Sequence, residues 1–275
     1  MSVETGPAID LSGRNCATSS PRTNETVLAL APMQGVVDPR MRELLTALGG
    51  IDYCVSEFIR VTDSPVEPHV LMRECPELAC GARTRAGTPV HLQLLGSDCA
   101  AMAETARLSV ELGAEAIDLN FGCPVKRVNF HDGGAALLRQ PSRIEEIARA
   151  VRDTIPSHIP VSAKVRTGWD NSANVAEIVQ AVEAAGCDWV TVHGRTRQQV
   201  YEGKADWSAI ATARHAVKIP VVANGDICSE ADLVRCGEVT GCNRFMIGRG
   251  AVARPELFAQ VRRLRKGPMR IGEKC

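Results

Sequence analysis

Eight short apolar runs recur along the chain, and between them lie longer stretches with helical periodicity. The runs are Val27 to Ala31, Tyr53 to Phe58, Val90 to Leu95, Ala116 to Asn120, Val161 to Val165, Trp189 to His193, Pro220 to Asn224 and Arg244 to Gly248. They are near-continuous rather than strictly alternating, the pattern of parallel strands covered on both faces. The intervening stretches include Ala100 to Leu112, Arg143 to Thr154 and Val175 to Ala185. Two of them are followed by Gly113 and Gly186, where a helix is expected to stop. Eight strand–helix units close a (β/α)₈ barrel, and 275 residues suffice for one. An open doubly wound sheet is the competing architecture, but no G-x-G-x-x-G opens the first helix. The expected fold is therefore α/β, a (β/α)₈ TIM barrel over residues 26–254.

The flanks read differently. Residues 1–25 are rich in Ser, Thr, Asn, Pro and Gly without hydrophobic periodicity, as in a disordered tail. Arg14 and Arg22 are offset by Glu4, Asp10 and Glu25, against a transit peptide, and no apolar run is long enough to span a membrane. The cytoplasm is the expected location and a monomer the expected state. Residues 255–275 read as the start of a C-terminal helical region, with a helix from Pro255 to Lys266 that ends in the basic run Arg262 to Lys266. Lysine plus arginine equal aspartate plus glutamate, 32 against 32, so a nucleic-acid partner would need a local basic patch. The 11 cysteines form no C-x-x-C pair and no Cys/His pair at zinc spacing. They read as reduced thiols, and no metal site is expected.

Barrel geometry then indicates where chemistry belongs, because functional groups gather at the C-terminal strand ends and the loops after them. Those ends carry Pro32 and Met33, Glu57, Gln93, Asn120 with Cys123, Lys164 with Arg166, His193, Asn224-Gly225-Asp226, and Gly248-Arg249-Gly250. Cys123 lies between Gly122 and Pro124, which present its thiol at the rim of a rigid element. The seventh and eighth ends combine glycines with Arg249, a pattern that fits either turn chemistry or an anion held by backbone N–H groups. Their joint position favours a phosphate-bearing ligand. Lys164 interrupts an apolar strand, and an ammonium there requires an anionic partner. Gln93 offers both a donor and an acceptor to a ring edge such as the pyrimidine of a flavin. His193 fits either a structural group or a ligand contact.

These residues resemble the tRNA-dihydrouridine synthases, flavin enzymes that reduce uridine in tRNA. The matching strings are LAPMQGVVD at 30–38, QLLG at 93–96, DLNFGCPVKRVN at 118–129, GGAALL at 133–138, KVRTGWD at 164–170, VHGRT at 192–196, VANGDI at 222–227 and MIGRGA at 246–251. EFIRVTD at 57–63 is similar to the bacterial C-type subgroup, associated with the D-loop uridine at position 16. The resemblance implies FMN in the barrel mouth, lined by Pro32 and Met33, with Gln93 and Lys164 on its ring and His193 near ring or phosphate. Asn224, Gly225, Asp226, Gly248 and Arg249 would hold the ribityl phosphate. It also implies NADPH as reductant, hydride delivery to C6 of the uracil, and Cys123 as the acid that protonates C5. Asn120 would orient the base, and Lys126, Arg127, Arg166 and Arg195 would meet the RNA, with Arg60, Arg197 and Lys204 as further phosphate contacts.

Three features depart from the family pattern. The tail has no counterpart in the family core. Phe130-His131-Asp132 stands where small residues are usual. The helical domain that follows the barrel in the family is expected to be truncated or absent here, since the sequence offers only residues 255–275 for it. Two other readings remain open: a flavin barrel that reduces a free small molecule, and a non-catalytic tRNA-binding protein.

Overall fold

A computed structural model describes residues 26–129 and 133–266. The readings on 1–25, on Phe130-His131-Asp132 and on 267–275 fall outside the described residues. Nine parallel strands run in chain order: β1 (Val27–Leu30), β2 (Tyr53–Val55), β3 (Ile59–Arg60), β4 (Val90–Leu95), β5 (Ile117–Asn120), β6 (Val161–Arg166), β7 (Trp189–His193), β8 (Val221–Asn224) and β9 (Arg244–Ile247). The helices are α1 (Pro39–Ala47), α2 (Pro68–Glu74), α3 (Cys99–Glu111), α4 (Lys126–Asn129), α5 (Pro141–Thr154), α6 (Val175–Ala184), α7 (Trp207–Ala216), α8 (Glu230–Thr240), α9 (Arg249–Ala253) and α10 (Leu257–Lys266). Pairing runs from β1 round through β9, and β2 pairs with β4 to close an eight-stranded barrel. The fold is the (β/α)₈ barrel expected from the sequence.

The short β3 is the one departure in the strands. The run expected over Tyr53 to Phe58 leaves the ladder after Val55 and resumes at Ile59 beside Leu94. Ser56 and Glu57 account for the break. The Ser56 hydroxyl accepts the Gln93 N–H at 2.9 Å, while the Glu57 carboxylate turns to accept the N–H groups of Gly35 and Val36. The Ser56 N–H still donates to the His91 carbonyl at 2.9 Å, but its hydroxyl, not a backbone carbonyl, takes the Gln93 N–H, and the regular ladder stops there.

Strand alternation sorts the side chains into two layers. Leu92, Ile117, Leu119, Val161, Val165 and Val190 point outward and are sealed by the helices in one large apolar cluster. Each such buried aliphatic contributes about 1.5–3 kcal/mol. The inner layer is apolar on one side, where Ala29, Ala31, Val55, Val222 and Met246 meet. Gln93, Asp118, Ser162, Thr191 and Asn224 are among its polar members and are all buried. At the N-terminal end the interior is plugged by aromatic rings: Tyr53 stacks on His91 at 4.3 Å, with Trp189 tilted against both. Burial, with Arg83 in support, pushes His91 down to about 3, so the plug is uncharged.

Helix starts follow the chemistry of their first residues. Asp38 and Asp98 accept the N–H groups of Met41 and Ala101, both at 2.8 Å, and Ser229 caps α8 in the same way. α10 closes the lower end. Arg262 donates to the Thr26 carbonyl at 2.9 Å and pairs with Asp52, and the Phe258 backbone approaches Gly50 so closely that no Cβ would fit there. With the bottom shut and the helices outside, the only open face of the described barrel is at the C-terminal strand ends.

Candidate functional site

The loop after β5 is shaped by Asn120. Its Oδ1 accepts the N–H groups of both Gly122, at 3.0 Å, and Cys123, at 2.9 Å, folding the chain back on the strand end. The Cys123 carbonyl in turn accepts the Ala135 N–H at 3.1 Å. These bonds hold the thiol in the wall of the mouth at 8% exposure. Burial pushes the thiol pKa up, and the Val125 backbone, Arg166 and Lys164 oppose it only in part. Cys123 therefore carries its proton at neutral pH.

Beneath the thiol a side-chain chain runs across three strands. Asn120 Nδ2 donates to Gln93 Oε1 at 2.9 Å, and Gln93 Nε2 donates to Asp118 Oδ2 at 2.6 Å. Ser162 Oγ donates to Asp118 Oδ1 at 2.5 Å. Gln93 keeps one N–H and one lone pair for anything in the mouth.

From the adjacent strand β6, Lys164 Nζ donates to Asn224 Oδ1 at 3.1 Å, and Asn224 Nδ2 donates to the Met246 carbonyl at 2.8 Å. Burial first, then Arg166, brings Lys164 down to about 8. His193 sits among Lys164, Arg166, Arg195 and Arg249, and burial with these charges holds it well below its ordinary value. It is a neutral ring inside a cationic wall.

The loops after β8 and β9 are packed on each other. Gly225, at φ +119°, lies where a Cβ would meet the His193 ring, and Gly250 lies against the Ile227 carbonyl. Asp226 adopts φ +55°, unusual for a residue with a side chain. Its carboxylate accepts from Arg195 Nη2 at 2.7 and 2.8 Å, from the Ala205 N–H at 2.7 Å and from Arg249 Nη2 at 3.0 Å.

Together these groups enclose a cavity of about 560 Å³. Cys123, Pro32, Met33, Gln93, Lys164 and His193 line it, as do Asn224, Gly225, Asp226, Gly248 and Arg249. Of the residues expected to meet the RNA, Asn120 and Arg166 reach the cavity. Lys126 and Arg127 do not; they lie exposed on α4 at the rim. Arg195 is buried beneath the wall; its Nε and Nη2 donate to Asp226 and the carbonyls of Glu202 and Gly203, while its buried Nη1 has no partner among the described residues. Arg166 likewise donates to the carbonyls of Gly122, Thr196 and Val200, tying the thiol loop to the loop after β7. Arg197 stacks on Trp169 at 4.7 Å.

Two site residues escape the sequence pattern. Asp118 has a signal, an acidic residue inside the apolar run Ile117-Asp118-Leu119-Asn120. Tyr201 has little beyond the scarcity of aromatics. It is exposed in the cavity wall, with the guanidinium groups of Arg166 and Arg249 at 5.6 and 5.7 Å from its ring.

An eight-stranded parallel barrel is the architecture that two solved structures share with this chain. Histamine dehydrogenase from Rhizobium sp. 4-9 superposes with a TM-score of 0.66 at 14% identity, covering 87% of this chain and 46% of that one. A 2-naphthoyl-CoA reductase complex gives 0.65 at 14% identity, covering 86% and 50%. The chain spans about half the length of each, and the likeness is one of fold.

Sequence comparison is more specific. The dihydrouridine synthase (Dus) family model matches residues 29–272. The chain is 45% identical over 250 residues to tRNA-dihydrouridine(16) synthase of Neisseria meningitidis serogroup B, covering 91% of this chain and 75% of the relative. It is 49% identical over 229 residues to the protein of the same name in Vibrio vulnificus, covering 83% and 72%. The chain belongs to the dihydrouridine synthase family.

Proposed function

We propose that this protein is a tRNA-dihydrouridine synthase that uses FMN and NADPH to reduce the C5=C6 bond of a D-loop uridine, at position 16, in the cytoplasm. Family membership supports the reaction class, and the subgroup string EFIRVTD with the named relatives supports the position. The observation that carries the reading is the placement of a protonated thiol, Cys123, and an ammonium, Lys164, in the walls of one cavity at the barrel mouth.

The cavity suits a flavin mononucleotide. Its volume of about 560 Å³ lies within the roughly 300–1,000 Å³ of small-molecule sites. Pro32, Met33 and Met246 provide apolar faces, and Gln93 retains a donor and an acceptor for a ring edge. The backbone of Gly225, Asp226, Gly248 and Arg249, with the Arg249 side chain, fits a phosphate. When bound, the flavin supplies the hydride for C6 of the uracil.

The chain's own residues supply the rest. Cys123 gives the proton of its Sγ to C5, which suits a thiol held above its ordinary pKa and hence protonated. Lys164 places positive charge against the reacting system, in a site where burial strengthens it. Arg166 fixes the thiol loop, and Asn120 sets the register of its backbone. A uridine reaches the cavity only when splayed out of its loop. The exposed Lys126 and Arg127 at the rim are placed to meet its phosphates.

The test is the visible spectrum of the purified protein, its bleaching by NADPH, and incubation with unmodified tRNA followed by mass spectrometry of the nucleosides. Yellow protein that converts uridine 16 supports the proposal. A colourless protein that FMN cannot reconstitute, or turnover on free uracil with none on tRNA, would overturn it.

A further inference from the structure

Asp118 and Glu77 are the only buried carboxylates among the described residues, and their surroundings differ. Glu77 forms a two-bond ion pair with Arg42 outside the barrel wall. Asp118 lies inside the barrel at 1% exposure and pairs with no arginine or lysine among the described residues; its partners are the neutral Ser162 and Gln93. Lys164 presents the converse. Its ammonium is bonded to the amide of Asn224 and forms no ion pair among the described residues. Strand register relates the two: Asp118 is opposite Ser162, and Asn120 is opposite Lys164. Side chains two apart share a face, so Asp118 lies one layer below Lys164 on the adjacent strand, diagonally across the same inner surface.

A buried carboxylate and a half-buried ammonium, each without a contact ion pair among the described residues, stabilise one another across that single layer. We propose that Asp118 is a positioning residue of the active site, the fixed counter-charge that keeps Lys164 an ammonium in a mouth otherwise crowded with cations. The inference rests on the function proposed for the cavity.

The neighbours make this role specific. Lys164 faces Arg166 on its own strand, Cys123 from the loop after β5, the neutral His193 ring on β7 and the uncharged Asn224 on β8. Among the charges that act on it, Asp118 and any thiolate at Cys123 favour the charged amine, while Arg166 opposes it. Asp118 itself faces Tyr53 below and the Cys187 thiol, both uncharged at neutral pH because burial raises them. Burial raises its carboxyl above the ordinary carboxylate value, and the bonds from Gln93 and Ser162 with the charge of Lys164 oppose that in part. The bond to Asp118 also aims the Gln93 amide. A carboxylate can only accept, so Nε2 turns toward it and Oε1 toward Asn120. One residue thus fixes both the charge on one wall and the amide beneath the thiol.

Asp118→Asn removes the charge while keeping the shape, because Ser162 can reverse its hydroxyl and Gln93 can still donate. The readout is the rate of amine acylation at Lys164 in the flavin-free protein across a pH series, located by peptide mass spectrometry. The midpoint, near 8 in the parent, is expected to fall by about one unit, the effect of removing one partly screened neighbouring charge. FMN affinity should then drop about tenfold above the new midpoint and stay unchanged at pH 6. Asp118→Ser, smaller and uncharged, gives the same downward shift and serves if the amide variant does not fold. A Lys164 midpoint equal to the parent's in a folded variant overturns the inference, even if activity is lost. Absence of FMN binding by the parent instead overturns the proposed function, since the acylation profile does not depend on the flavin.

Discussion

Gly250→Ala separates two explanations for the glycines of the mouth. A Cβ at position 250 would lie 2.2 Å from the Ile227 carbonyl oxygen and 3.0 Å from Cys228 Cα. Ordinary contact begins near 3.4 Å, so the loops after β8 and β9 must part by more than an ångström. Both neighbours are backbone and cannot rotate away. Overpacking of this kind costs about 2–3 kcal/mol, which for a chain of this size lowers Tm by roughly 5–10 °C. Because these two loops carry the backbone groups assigned to the phosphate, FMN affinity should fall by about tenfold or more as they separate. Gly241→Ala is the matched control. It sits at φ +69° after α8, with nothing within 4 Å of a Cβ, so it costs only the left-handed strain of about 1–2 kcal/mol and leaves FMN binding at the parental value. Calorimetry and a flavin fluorescence titration read both effects. A Gly250→Ala protein with parental Tm and parental affinity would refute the account, and so would equal loss of FMN binding in the two variants.

Cys123→Ala should keep its flavin and lose dihydrouridine formation by about 100-fold or more, measured on nucleosides from treated tRNA. Turnover should decline as pH rises through about 8, where Lys164 loses its charge. For stability the sign is reversed: the folded lysine releases its proton near 8 and the unfolded one near 10.5, so this group's contribution to stability rises across that window. Urea unfolding at several pH values checks that slope. Glu77→Ala leaves the buried Arg42 guanidinium without its partner and should cost about 3–5 kcal/mol, while the surviving folded protein binds FMN normally because the pair lies outside the barrel wall.

The barrel is legible in the sequence because outward-facing strand residues are uniformly apolar, and a polar residue inside such a run must then face the interior. Lys164 is found that way, and Asp118 obeys the same rule. The break in the second strand run is not legible. It depends on Glu57 accepting from Gly35 and Val36, more than twenty residues away in the chain. The arginines show the sharper limit. Arg166 and Arg195 follow strand ends as an RNA-binding arginine would, yet their guanidinium groups run under the loops and satisfy carbonyls of Gly122, Thr196, Val200, Glu202 and Gly203. Whether an arginine at a strand end reaches outward or threads a loop depends on which carbonyls a distant segment leaves unpaired, and local pattern does not encode that.

Asp226 turns that distinction into a measurement, because its carboxylate binds one arginine of each kind. Arg195 is 2% exposed and is held by two carbonyls as well as the carboxylate. Arg249 is 56% exposed, and its single bond to Asp226 is its only ion pair among the described residues. An exposed pair of that kind is worth about 0–1 kcal/mol, so Arg249 can leave Asp226 for a phosphate at little cost, whereas Arg195 cannot. Arg249→Ala should therefore weaken FMN binding by about 10–100-fold with Tm unchanged within a degree or two, because the phosphate is deprived of a donor that the fold itself does not need. Arg195→Ala should act the other way. It strips donors from two carbonyls and a carboxylate at the base of the loop after β7, costing about 2–4 kcal/mol. Its effect on FMN should then follow from the loosened loop and be recovered at low temperature. Stability loss in Arg249→Ala, or weaker FMN binding in Arg195→Ala that persists at full folding and equals that of Arg249→Ala, would mean that both arginines reach the ligand and that Asp226 does not divide them.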